Sequence, residues 1–373
     1  MFNEFVLGTV ALASVWLAWR WSRHFATWKV EDFLAAGIFP LALTGALLLF
    51  LKTPFRDAAS DVPSVFAYAP SRFLRTPKET TLAAAFMSGA FLLGTLLWAH
   101  RRLGAYRPPY MFLGALLCYL ALFNLGGTAT LATTIHAHAP AAGFGMLACA
   151  CLFRRGEEGP PGAFALLFST LFTSLSVLSA PVAIALPVAL AAHLGFAWGR
   201  KTFLRYLLFL VGMGGALTLT LFLLGGSLSR PSWKTDLGEA ARTFLQQGWQ
   251  VLVLLPVAVA LRLRHTDQEG GRLRRDAATI PLLAGLCLIP SSLMEAAAGG
   301  TGATCFYALF YLVAALSLLL TSSGGTGADE FSRRWARGLL VGLAGGILFF
   351  ASGQIRDAWT TPASLPVRLQ PGK

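Results

Sequence analysis

Long apolar runs separated by short polar or basic breaks are the dominant pattern of the chain. A transmembrane helix needs about 20 predominantly apolar residues. Runs of that order fall near 5–20, 33–51, 82–99, 108–125, 130–153, 161–178, 181–197, 204–224, 247–262, 278–294, 303–321 and 336–352. The pattern predicts an all-α fold, a polytopic transmembrane helix bundle of about 12 helices with no soluble domain. The first run ends in Trp16, Trp19 and Trp21 beside Arg20 and Arg23, which suits an interfacial anchor helix better than a cleaved leader. The expected organisation is an anchor helix and connection over 1–32, a membrane domain over 33–352, and a tail over 353–373.

Composition strengthens this reading. Of 373 residues, 55% are hydrophobic and 13% charged, and the mean hydropathy is +0.63, so too few charges are present to solvate a globular surface of that size. The net charge of +13 is spread in twos and threes between apolar segments. That spacing argues against nucleic acid as a partner, because nucleic-acid binding gathers basic residues on one face. It fits the charge bias of membrane topology instead. Loops after the odd-numbered segments carry clusters such as Arg101, Arg102 and Arg107, Arg154 and Arg155, Arg200, Lys201 and Arg205, Arg262 and Arg264, and Arg333, Arg334 and Arg337. The short loops near Asn124, Ala180 and Gly299 on the opposite side carry none. The basic side is therefore expected to be cytoplasmic, with both termini outside and the chain in a bacterial inner membrane.

With that orientation, two polar interruptions face outward, Lys52 to Thr80 and Gly225 to Gln246. The first holds Asp57 and Asp61, four apart and beside Arg56, then Arg72, Arg75 and Lys78. A carboxylate just outside a bilayer can take the proton of an acceptor hydroxyl or hold a divalent cation, and the arginines can fork onto a phosphate. The second interruption holds Arg230, Trp233 and Lys234, a basic-aromatic group suited to a lipid-linked phosphate, followed by a short amphipathic helix with Leu237, Ala241, Phe244 and Leu245 on one face. His136 and His138 stand at the outer start of the fifth segment and diverge on a helix, so hydrogen bonding at an outer cavity suits them better than metal ligation. No metal site is read from the sequence beyond a divalent cation at the aspartates. His100 and His193, at similar depth, would be the axial pair of a bis-histidine haem, a less favoured reading than two interfacial histidines. Glu295 is the single acidic residue at the outer end of the tenth segment. The five cysteines lie in or at the edges of apolar runs without a CxxC pair and read as small packing residues.

The stretch from Ala129 to Leu224 carries TIHAHAPAAGFGMLACACLFRRGEE, a helix pair broken at Ser179-Ala180-Pro181, and a second basic turn at Gly199-Arg200-Lys201. This order, with one long outer loop after an early helix and another after the eighth, resembles the GT-C class of polyprenyl-phosphate-dependent membrane glycosyltransferases over about half the chain. The resemblance implies a catalytic carboxylate in the first outer loop, with Asp57 or Asp61 as base, and implies Arg56, Arg72, Arg75, Arg230, Trp233, Lys234, His136 and His138 at the donor phosphate and sugar. The chain departs from that class in having Asp57-Ala-Ala-Ser-Asp61 in place of an adjacent acidic pair, and only Tyr307 and Tyr311 where an arginine and tyrosine signature is expected. The partners implied are membrane lipids and a polyprenyl-phosphate-linked sugar. A non-catalytic subunit docked to other membrane subunits, or a transporter or flippase of a lipid-linked solute, are the alternative readings.

Overall fold

The computed structural model describes residues 95, 98–99, 138–153, 159–223, 237–268, 276–297, 303–323 and 330–339. These residues are helical apart from short turns, with no strand among them. In order they form α1 (His138–Leu152), α2 (Ala163–Ser179), a 3-10 turn (Pro181–Ile184), α3 (Ala185–Trp198), α4 (Arg200–Leu223), α5 (Leu237–Gln268), α6 (Thr279–Ala297), α7 (Ala303–Ser323) and α8 (330–339).

Local sequence sets the breaks. Pro160, Pro161 and an extended Gly162 (φ −68°, ψ 167°) precede α2. Its end comes at Ala180, extended at φ −148° and ψ 124°, because the ring of Pro181 crowds the helical conformation of the residue before it. Proline then occupies the first position of the 3-10 turn, where its missing N–H costs nothing. Between α3 and α4 only Gly199 intervenes, at φ 84° and ψ 175°, a backbone region essentially reserved for glycine.

The helices run antiparallel in sequence order. Tyr307, in the second turn of α7, meets the first turn of α1 and the last turn of α2, and Leu186 at the start of α3 packs beside Gly145. At the opposite end Arg262 near the end of α5 meets Asp276 before α6, and Arg264 lies over Phe331 of α8. The centre of the bundle is α7, packed against α6, α5 and α1, with every residue from Tyr307 to Ser323 buried. Three helices approach it through glycine: Gly145 of α1 faces Tyr311, Gly248 of α5 faces Leu309, and Gly285 of α6 faces Leu312. Small residues at such crossings let backbones close to within side-chain contact of one another.

The outer faces are apolar. Phe164, Val188, Phe196, Leu208, Val211, Phe222 and Val253 are exposed on α2 to α5. Among the described residues one segment, Arg200–Thr220, is long and apolar enough to cross a membrane, and Leu237–Gln246 with Val251–Arg264 makes a second only as a pair bent by 60°. The apolar parts of α1, α2, α3, α6 and α7 are 10–17 residues long. An all-helical bundle is thus established for the described residues.

Several boundaries differ from expectation. Arg200, Lys201 and Arg205 belong to the first turns of α4, since Gly199 alone makes the corner. Residues 263–268 continue α5 beyond the expected segment end at 262, and 330–336 are helical in α8 ahead of the expected segment start at 336. The surface helix expected before 247 is the first part of α5, and its inward face is Ala240 and Phe244, whereas Leu237 and Leu245 are exposed. The reason is register: 240, 244, 248, 251, 255 and 258 form one buried stripe along α5, and Leu237 and Leu245 lie off it.

Candidate functional site

Arg56, Asp57, Asp61, Arg72, Arg75, His136, Arg230, Trp233 and Lys234 lie outside the described residues. His138 is the first residue of α1, and Glu295 falls in the last turn of α6. His193 is buried in α3, while His100 lies outside the described residues. Of the cysteines, Cys149 and Cys151 are buried and Cys287 is half-buried. No group of three or more His, Cys, Asp or Glu side chains converges among the described residues.

Near the start of α1 the structure assembles a seam of buried hydroxyls. α2 turns Ser169, Thr173 and Ser176 inward, spaced by four and three residues, so the polar stripe of this helix faces the core. Phe164 and Phe168 of the same helix are exposed. Ser176 Oγ donates to the Ala141 carbonyl at 2.7 Å and lies 2.8 Å from Tyr307 Oη. Tyr307 Oη is 3.4 Å from Tyr311 Oη, and the two rings are tilted with centroids 5.5 Å apart. Lower in the bundle Thr173 Oγ1 lies 3.2 Å from Tyr206 Oη and 2.7 Å from the Ser169 carbonyl, while Ser169 Oγ donates to the Ala148 carbonyl at 3.0 Å.

Each hydroxyl has one proton to give. One arrangement spends them in series, with Tyr311 donating to Tyr307, Tyr307 to Ser176, and Ser176 to the Ala141 carbonyl. Such chains polarise one another in a low-dielectric interior and cost heavily when broken. The seam joins α1, α2 and α7, reaches α4 through Tyr206, and carries no ionised group. Its chemistry is that of a lock between helices. The sequence signal for it is a hydroxyl stripe, Ser169, Thr173 and Ser176, at helical spacing inside an apolar run.

At the other end of the α1–α2 pair an apolar cleft of about 540 Å³ opens between Leu147 and Cys151 of α1, Phe164, Phe168 and Phe172 of α2, and Trp98. Phe172 stacks on Phe168 and on Phe144, with 6.4 Å between centroids in each pair.

The ends of α5 and α8 meet nearby in the fold's basic end. Arg262 pairs with Asp276, whose second oxygen accepts the Ala278 N–H at 3.0 Å and so orders the turn into α6. Arg264 lies 4.7 Å from the Phe331 ring centroid, a cation–π geometry. Arg200, Lys201 and Arg205 open α4 at this same end, whereas Arg242 of α5 stands at the opposite one.

Compared with protein-family models, with curated proteins and with solved structures, the chain matches none.

Proposed function

We propose that the chain is a polytopic integral membrane protein of GT-C-like architecture with about 12 membrane helices, seated with its basic end in the cytoplasm. The observation that carries the membrane reading is the pairing of apolar outer faces on α2 to α5 with the gathering of arginines at one end of the described helices. A bilayer solvates apolar faces at no cost, and basic residues are retained on its cytoplasmic side. Hydroxyls turned inward and phenylalanines outward on α2 support the same reading. Resistance of the protein to alkaline extraction from membranes is expected, and release as a soluble species would overturn it.

On the outer face the proposed activity is transfer of a sugar from a polyprenyl-phosphate donor to an acceptor. In that reading Asp57 takes the proton of the acceptor hydroxyl, with Asp61 as the alternate base or a ligand for a divalent cation. The acceptor oxygen bonds to the anomeric carbon as the carbon–oxygen bond to phosphate breaks. Arg72, Arg75, Arg230 and Lys234 stabilise the departing phosphate, and His136 or His138 lines the sugar. The support is the resemblance of segment and loop order. Substituting Asp57→Asn and Asp61→Asn in a purified transfer assay is expected to lower turnover by about 10²-fold or more for the base; full activity of both variants removes the assignment.

A second reading is a non-catalytic subunit of a larger membrane complex. Isolation in mild detergent distinguishes the two: a stoichiometric partner supports the subunit, and a monodisperse lone protein with transferase activity refutes it.

A further inference from the structure

Three helices with apolar outer faces are short. α2 has 17 residues between two breaks that both lie within the described residues: Pro160, Pro161 and an extended Gly162 on one side, and Ala180, extended before Pro181, on the other. The next apolar stretch, Val182–Trp198, has the same length and stops at the Gly199 corner, after which Arg200 and Lys201 are exposed. The part of α5 beyond its 60° bend, Val251–Arg264, is shorter still. At about 1.5 Å per residue these segments reach about 25, 25 and 21 Å. The hydrocarbon core of an ordinary bilayer is about 30 Å thick. None of the three is hidden inside the bundle: Phe164 of α2 and Phe196 of α3 are each 78% exposed within a turn of their helix ends, and Ile184, Val188 and Val253 are exposed between. A helix longer than the bilayer shortens its span by tilting, but a short one cannot be lengthened, so the bilayer thins, flanking side chains reach outward, or helices associate. Among the described residues the straight full-length span is Arg200–Thr220 of α4, which stands at the edge of the bundle, where tilting is open to it.

We propose that the protein sits in a locally thinned bilayer, its α2–α3 face matched to a hydrocarbon layer of about 25 Å and hence to lipids with short acyl chains. The inference rests on the membrane reading above. The Gly199 corner sets the limit, because a hydrocarbon layer of ordinary thickness would reach past Trp198 onto Arg200 and Lys201, whose charged groups are costly to bury. Outward reach of long basic side chains relieves this end alone. The opposite ends of the two segments meet at Ser179-Ala180-Pro181, which has no such side chain.

The test reconstitutes the full chain into vesicles of dimyristoleoyl-, dipalmitoleoyl-, dioleoyl- and dierucoyl-phosphatidylcholine, in order of increasing chain length, and follows thermal unfolding and oligomeric state in each. Tm is expected to be highest in the two lipids with the shortest chains and to fall by about 5 °C or more toward the dierucoyl lipid. Arg200→Leu with Lys201→Leu, which carries the apolar face past the corner, should move the optimum to the dioleoyl lipid. An optimum at the dioleoyl or dierucoyl lipid for the unaltered protein, which needs no variant to fold, overturns the proposal. So does a Tm that does not vary with chain length, and if a stable dimer accompanies it the α2–α3 face is covered by a second copy of the chain. An optimum that stays in place in the folded double variant overturns the limit set by the corner. Each of these results leaves the membrane reading standing, whereas failure to enter any of the vesicles defeats both.

Discussion

Helices α7 and α4 are close in length and both strongly apolar, yet they occupy opposite places. α7 is buried on every side from Tyr307 to Ser323, whereas among the described side chains of α4 only Thr202 and Tyr206 are buried. Their glycine contacts show the same contrast. Around α7, Gly145, Gly248 and Gly285 of three neighbouring helices each press against one of its side chains; in α4, Gly212 and Gly215 have nothing within 4 Å, and Gly214 has ordinary clearance from Ser174 at 3.4 Å. Where all helices are apolar, hydrophobicity does not assign the centre. Close approach does, because it needs a glycine on one helix opposite a large side chain on the other.

The largest effect expected from breaking this comparison is at the inner contact. Gly145→Ala places a methyl group against Tyr311 Oη and Leu186 and should cost about 3 kcal/mol. Because the clash is with the hydroxyl, Tyr311→Phe in the same chain should recover part of that loss, although alone it forfeits about 1 kcal/mol of hydrogen bonding. Thermal unfolding of the two single variants and the double variant forms a cycle, and strict additivity would show that the contact is not what Gly145 is needed for.

The corner that sends α4 outward comes next. Gly199→Ala forces a side chain into a backbone region of φ 84° and should cost about 1–3 kcal/mol. An unchanged melting temperature would mean that the corner adopts another backbone. The smallest effect is predicted on α4 itself, where Gly212→Ala meets open space and should be neutral or stabilise by up to about 1 kcal/mol through helix propensity. A destabilisation comparable to that of Gly145→Ala would place this face of α4 against another part of the protein and erase the contrast.

Much of the fold was legible in the chain. Among the described residues segment positions followed from apolar run length, and the stops at Ala180 and Gly199 from proline and glycine, because these depend only on neighbouring residues. The alternation of ends was legible as well: loops expected on one side supply Arg264 and Phe331, which meet in the structure. The candidate site divides differently. The acidic and basic residues of the two outer interruptions were visible as breaks in the apolar pattern, and they lie outside the described residues. The hydroxyl seam was overlooked because Ser176 and Tyr307 lie 131 residues apart and each is unremarkable in its own helix.

By itself, then, the sequence determined that the described residues are helical, where their helices break, and which helix ends carry the arginine clusters, since run length, proline, glycine and charge act locally. Only the tertiary structure decided that α7 lies at the centre and α4 at the edge, and that α2 turns its hydroxyls inward. Those outcomes depend on which surfaces meet, and where the described helices are apolar on inner and outer faces alike, glycine clearance and hydrogen-bond partners from distant segments make that choice.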